Sequence, residues 1–103
     1  MALYEFEGRT PTVAESAYVS ETADVIGDVT IGAQCFIGPG ARIKGDYGTI
    51  IIGDETSIQE NCVVHARPGQ ECRVGSGCTI GHGSILHNCT ICDGAVVGMG
   101  AIV

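Results

Sequence analysis

Three histidines are the side chains of this sequence best suited to acid–base or metal chemistry. Two of them, His82 and His87, lie in the stretch IGHGSILHNCTI, five residues apart among glycines and aliphatic residues. Paired ligands on a helix are usually four residues apart, as in the H-E-x-x-H motif. A backbone other than a helix must therefore position these imidazoles together with the third histidine, His65.

A six-residue period supplies such a backbone. Aliphatic residues, here called heads, recur mostly every six positions, with longer steps after Ile43 and Val64 and a five-residue step after Leu86. In most repeats a small residue lies four positions after the head. Helix geometry would scatter the heads around its surface, whereas branched residues favour strands and glycines favour tight corners. Three hexapeptides then form one turn of a parallel β-solenoid. The heads are Val13, Val19, Val25, Ile31, Ile37, Ile43, Ile52, Ile58, Val64, Val74, Ile80, Leu86, Ile91, Val97 and Val103.

This pattern resembles that of the hexapeptide-repeat proteins. The resemblance implies an all-β fold, a single-stranded left-handed parallel β-helix. We expect one domain, 1–103, with an N-terminal lead-in at 1–12 and coils at 13–103, and with loops near 46–51 and 66–73. The last head is Val103, and the resemblance implies C-terminal coils and a helix that this sequence lacks.

Charge and composition limit the partners. The 103 residues carry a net charge of −7, which repels nucleic-acid phosphates and anionic membrane surfaces. No apolar run approaches the ~20 residues of a membrane span, and the first residues do not form a secretory signal. We therefore expect a cytoplasmic protein that binds neither nucleic acid nor membrane.

The six cysteines are more consistent with packing than with disulfides. Cys35, Cys62 and Cys78 occupy the small position that alanine fills in other repeats, which predicts buried corner thiols. Cys89 and Cys92 form a C-x-x-C, for which redox or zinc chemistry is the less favoured alternative. Cys72 is expected in a loop and has no assigned role.

Counting heads in threes places the polar residues on faces of the solenoid. Lys44, His65 and His87 each follow a head of the same face, so they should form one column at the strand spacing of about 4.8 Å. Zinc ligands in a tetrahedral site need nitrogens only ~3.3 Å apart, so His65 and His87 fit as a pair. Gln59 and His82 fall on the neighbouring face. A second copy in a cyclic trimer is therefore expected to bring its His82 to that pair.

The motifs around these residues resemble the gamma-class carbonic anhydrase family. The resemblance is carried by I-Q-x-x-x-x-x-H, ending at His65, and by G-H-x-x-x-x-H, ending at His87, and it extends from about Tyr4 to the end of the chain. It implies a homotrimer with a divalent metal between subunits. Zinc is expected, with iron or cobalt as alternatives, and the ligands would be His65 and His87 of one subunit and His82 of its neighbour.

The same resemblance implies roles for three further residues. Gln59 would orient the metal-bound water, and its role would be catalytic. Lys44 and Asp46 correspond to the family's arginine and aspartate, and they are expected to support the site near the subunit contact.

Three classes of function remain open at this point. The first is a lyase in which zinc hydroxide attacks carbon dioxide, with carbon dioxide and bicarbonate as the small-molecule substrates. The second is an acyl-CoA-handling enzyme, either a hexapeptide transferase or a thioesterase-like relative. The third is a non-catalytic metal-binding scaffold subunit.

Overall fold

Short parallel strands form the whole fold in a computed structural model, which describes residues 2–103. No helix occurs in that range, and so none with the length and apolarity that a bilayer crossing requires. The strands are β1 (Ala2–Tyr4), β2 (Thr12–Val13), β3 (Tyr18–Val19), β4 (Asp24–Ile31), β5 (Phe36–Ile37), β6 (Arg42–Ile52), β7 (Ser57–Ile58), β8 (Val63–His65), β9 (Glu71–Val74), β10 (Thr79–Ile80), β11 (Ile85–His87), β12 (Thr90–Ile91) and β13 (Val96–Val97).

Strand pairing creates the three faces expected of a triangular coil. One face contains β1, β4, β6, β8 and β11, and a second contains β3, β5, β7, β10 and β13. The third face pairs β2 with the end of β4, and the end of β6 with β9 and then β12. All pairings between these strands are parallel, and the strands stack in successive coils, which confirms the predicted parallel β-helix.

The heads fill the interior, as predicted. Every head from Val19 to Ile91 is buried, and most are completely inaccessible. Because strand residues alternate between two sides, burial of a head directs the residues before and after it outward. Val103 differs, with 47% of its surface exposed.

Small residues close the corners between faces. Cys35, Cys62 and Cys78 are buried there, which agrees with the predicted packing role. Their thiols lie 3.0–3.1 Å from the carbonyl oxygens of Gly53, Gly81 and Cys92, and each donates across one coil. Burial raises the pKa of the Cys35 and Cys62 thiols, which keeps them protonated.

Two predicted loops differ from the structure. Residues 46–51 lie within β6 because Thr49 and the following isoleucines pair with β9. The pairing of β6 with β4 nevertheless contains a register irregularity. Gly27 pairs with Gly45, but Val29 pairs with Ile50, so β6 carries an insertion of three residues relative to β4. The second loop is shorter than expected, since β9 begins at Glu71.

Cys72 lies on β9 and not in a loop, which corrects the expectation for this residue. It is completely buried, and its Sγ is 3.7 Å from the Sγ of half-buried Cys89 on the next coil. Burial, to which the neighbouring Cys89 adds, raises the pKa of Cys72 to about 12. Cys89 thus packs against Cys72, while Cys92, the other member of the C-x-x-C, is exposed.

The lead-in residues also join the fold. β1 adds a strand to the first face by pairing with β4, and Phe6 forms an antiparallel bridge with Arg9. The ring of Phe6 meets the ring of Tyr47 edge to face, with centroids 5.5 Å apart. The N-terminal segment is therefore packed against the extra residues of β6.

Candidate active site: a histidine column

Three consecutive coils bring the predicted column together on the first face. Lys44 pairs with His65, and His65 pairs with His87, in the registers of β6 with β8 and of β8 with β11. Their backbone positions follow the buried heads Ile43, Val64 and Leu86, so their side chains point outward. The rings of His65 and His87 stack with centroids 5.4 Å apart and an interplanar angle of 25°.

Asp46 contacts two residues of this column. Its Oδ1 lies 3.0 Å from Nε2 of His65, and its Oδ2 lies 3.7 Å from Nζ of Lys44. Only 12% of the Asp46 side chain is exposed, so the contact with the imidazole is largely shielded from water. An ionised carboxylate can only accept a hydrogen bond, so this contact favours the tautomer of the imidazole that carries its proton on Nε2 and has a free lone pair on Nδ1.

This arrangement is that of a general base with an orienting partner. The carboxylate fixes both the ring plane and the tautomer of His65, and the free Nδ1 can take a proton from a substrate. His65 remains 28% exposed, which leaves it accessible.

His82 lies apart from the other two histidines. It follows β10 at a corner, and its Nδ1 is 2.7 Å from Oε1 of Glu60, with both side chains substantially exposed. Gln59 is on the same neighbouring face, where its backbone N–H donates to the carbonyl of Ile80. Within the described chain, His82 and Gln59 are therefore separate from His65 and His87, as the face count predicts.

Glu60 was not recognised in the sequence as a partner of His82. A usable signal was present, because Glu60 and His82 are 22 residues apart, as are His65 and His87. That shared offset is the local length of one coil. Residues separated by it are neighbours on adjacent coils, so a carboxylate beside His82 was predictable.

A loop next to the column carries an unpaired cation, which the sequence analysis also missed. Arg67 follows His65 by two residues, and its backbone N–H donates to Oδ1 of Asn88 at 2.7 Å. The side-chain amide of Asn88 bonds Gln70, whose own N–H donates to the carbonyl of Arg67 at 3.0 Å. Asn88 directly follows His87, so this network fastens the loop to the end of the column.

The other four basic side chains are each within 4 Å of a carboxylate. Arg9, Arg42, Lys44 and Arg73 lie 2.9–3.7 Å from acidic oxygens. Among residues 2–103, Arg67 is the only Lys or Arg without such an ion pair. In an acidic protein, it is the side chain most available to a substrate anion.

The residues fit an intersubunit metal better than one within a single chain. Residues 2–103 contain no group of three or more His, Cys, Asp or Glu placed to hold a metal ion. His65 and His87 are adjacent imidazoles, which suit two positions of a tetrahedral zinc site. A third ligand would have to come from elsewhere, and ligation through Nε2 of His65 would replace its hydrogen bond to Asp46.

No family model matches the sequence. Among curated proteins, the chain is 43% identical over its full 103 residues to the carnitine operon protein CaiE of Escherichia coli O157:H7, of which it covers 53%. The chain thus spans about half the length of the curated relatives it matches.

Two solved structures extend the comparison. A hexapeptide transferase family protein from Anaplasma phagocytophilum superposes with a TM-score of 0.83 at 32% identity, over 99% of this chain and 74% of that one. A putative acetyltransferase from Bacillus cereus gives a TM-score of 0.88 at 29% identity, over 99% and 70% of the two chains.

Proposed function

The chain belongs to the hexapeptide transferase family, and from that premise we propose that it transfers an acyl group from an acyl-CoA thioester to a small acceptor. The observation that carries the proposal is the 3.0 Å contact between Asp46 and Nε2 of His65. It gives one histidine of the column the orientation and free nitrogen that a general base needs. The names of the structural relatives, a transferase and a putative acetyltransferase, support the same class of reaction.

His65 carries the proton transfers of the proposed reaction. The acceptor oxygen or nitrogen attacks the thioester carbonyl carbon, while its proton passes to Nδ1 of His65. The carbon–sulfur bond then breaks, and the proton is returned to the departing CoA thiolate. Asp46 stabilises the imidazolium that exists between these two steps.

The stacked ring of His87 limits the movement of His65 on one side. Lys44 lies on the other side of His65 in the same column. The proposed base is thus held between two neighbours on adjacent coils, which favours a fixed geometry over a mobile one.

Arg67 is the proposed anchor for the phosphates of CoA. CoA is strongly anionic, and an acidic protein needs a free cation to bind it. Arg67→Gln should therefore raise the KM for acetyl-CoA with little effect on kcat. Arg73→Gln is the matched control, because Arg73 is exposed on a neighbouring strand but is ion-paired with Glu71 at 2.9 Å. If the two substitutions raise the KM for acetyl-CoA equally, Arg67 does not bind CoA.

The test of the reaction is the loss of thioester absorbance from acetyl-CoA, with and without a panel of amines and alcohols. EDTA is present throughout. Turnover that requires an acceptor and yields an acetylated product supports transfer. Turnover without an acceptor indicates thioester hydrolysis, with water as the acceptor at the same base. No consumption of several acyl-CoA thioesters by folded protein would overturn the proposal.

A second candidate is a carbonic anhydrase-like reaction at a metal between subunits, with carbon dioxide or bicarbonate as substrate. It is favoured by the stacking of His65 and His87 at 5.4 Å, because one imidazole would suffice for a general base. In a homotrimer, His82 of a neighbouring copy would complete the ligand set. A bound zinc, or iron or cobalt, would supply Lewis acidity and a more acidic water. Gln59, the predicted catalytic residue, would orient that water.

Metal content and mass in solution test this candidate. Three metal ions per trimer, lost in His82→Gln, would support an intersubunit site. Background rates of carbon dioxide hydration for both zinc- and cobalt-loaded protein would exclude the lyase. Tight metal binding without any turnover would instead indicate the scaffold function.

A further inference from the structure

A concave region lies beside the column. A pocket of about 270 Å³ is lined by the N-terminal segment, the inserted residues of β6 and the loop after β8. We call it the lead-in pocket, and its lining residues are Phe6, Glu7, Arg9, Asp46, Tyr47 and Pro68. At a share of ~30 Å³ per water molecule, it has room for a group of about nine non-hydrogen atoms.

The lead-in pocket adjoins the proposed base. Asp46 is part of the pocket lining, and its Oδ1 is also the partner of His65. A ligand in the pocket therefore lies one side chain away from the imidazole. Neither Glu7 nor the aromatic residues there have a role in the transfer mechanism.

Charge favours a cation in this pocket. Arg9 is 3.3 Å from Asp28, which also accepts a 2.7 Å hydrogen bond from Thr49, so the arginine charge is locally compensated. Asp46 is likewise accompanied by Lys44. Glu7 has no ion pair within residues 2–103. Within the described part of the chain, Glu7 is thus the one charged residue of the lining without an ion pair, and the whole chain has a net charge of −7.

The aromatic walls favour a particular kind of cation. Phe6 and Tyr47 meet edge to face at 5.5 Å and 81°, so their ring faces point in different directions. Such rings attract alkylammonium groups through their quadrupoles and also contact the methyl groups. Inorganic cations would gain only the electrostatic part of this interaction.

We propose that the lead-in pocket binds an alkylammonium group of the acyl acceptor. The role as acceptor site rests on the proposed acyl transfer, whereas the binding of the cation does not. Glu7 supplies the counter-charge, and Phe6 and Tyr47 enclose the alkyl groups. The nucleophile of the same acceptor is then held near His65.

Choline and its uncharged isostere 3,3-dimethyl-1-butanol are the probes for this site. The two molecules share one shape and differ in charge. Titrations are followed by the aromatic proton resonances of Phe6 and Tyr47. Choline should cause saturable shifts of these resonances, with at least about fivefold higher affinity than the isostere. Equal affinity, or no shift with either probe, would overturn the proposal.

Two pairs of variants localise the effect. Glu7→Gln and Phe6→Leu should each weaken choline binding about threefold to tenfold. Their controls are Glu21→Gln, an exposed acid without an ion pair in the described residues, and Tyr18→Leu, which removes an exposed ring on another face. A control that weakens binding as much as its pocket counterpart would contradict the assignment.

The outcome is separable from that of the proposed reaction. Binding of choline by protein that consumes no acyl-CoA would leave the cation site standing while acyl transfer fails. If the protein transfers acyl groups but does not bind choline, and choline does not inhibit the transfer competitively, the cation site is overturned. The proposed acyl transfer then stands.

Discussion

Replacing Asp46 by asparagine changes the charge of the group that orients His65 while preserving its shape. In the native protein, the carboxylate accepts the Nε2 proton at 3.0 Å and is only 12% exposed. The asparagine amide can instead donate to Nε2. That donation would move the proton to Nδ1, which is the nitrogen that must be free for the proposed catalysis.

The size of the effect follows from this contact. A hydrogen bond to a charged group contributes about 1.5–3 kcal/mol, and each ~1.36 kcal/mol corresponds to a factor of ten in rate. Because the contact is shielded and the imidazolium forms only during reaction, we expect kcat to fall about 10- to 150-fold. The KM for acetyl-CoA should change little. Loss of the 3.7 Å contact with the 41% exposed Lys44 contributes little to stability.

Steady-state kinetics of acetyl-CoA consumption provide the assay. Asp24→Asn is the matched control, since Asp24 lies on the same face and is 3.1 Å from Arg42, but it touches no histidine. Native kcat in Asp46→Asn, or an equal loss in Asp24→Asn, would refute the orienting role of Asp46.

Three further predictions concern the fold. Leu86→Ala should lower the free energy of unfolding by about 2–5 kcal/mol, because Leu86 is completely buried. Ile85→Ala should lower it clearly less, because the neighbouring Ile85 is 40% exposed. The reverse order in chemical denaturation would contradict the inward placement of heads. Because the pKa of Cys72 is raised to about 12 from an ordinary 9.0, the unfolded chain loses this proton first. Stability should therefore fall as the pH rises from about 9 toward 12, and Cys72→Ala should flatten this dependence in urea titrations. Gly27→Ala should destabilise the protein, because the backbone φ of Gly27 is +73° and the added Cβ would lie 2.3 Å from the carbonyl oxygen of Gly45. A thermal midpoint equal to that of the native protein would contradict this packing.

Much of the fold was predictable because a six-residue period has few physical solutions. Heads such as Ile43 and Leu86 revealed the winding, and simple counting then placed His65 and His87 on adjacent coils. One departure lies in the insertion in β6, and the other is the early start of β9 at Glu71, which places Cys72 on a strand. Sequence alone did not show that β6 would continue through residues 46–51, with three extra residues accommodated as a register irregularity opposite Gly27 and Val29.

The chemistry of the site was less predictable than its geometry. The family resemblance implied that Asp46 supports the site, but it did not show that the Asp46 carboxylate would contact Nε2 of His65. Tyr47, one of the residues inserted in β6, packs against Phe6, which is far away in the sequence, and both residues line the lead-in pocket. Inserted residues lie outside the six-residue repeat, so counting residues along the coils cannot predict their contacts.

The central claim, that His65 acts as the general base for acyl transfer, is tested most directly by chemical rescue. His65→Ala should lower kcat for acetyl-CoA consumption at least about 100-fold in EDTA, and added imidazole should restore part of it in a concentration-dependent, saturable manner. His87→Ala, measured alongside, should show no such restoration. A native rate in His65→Ala, or a lost rate that returns with added zinc and not with imidazole, would contradict the account.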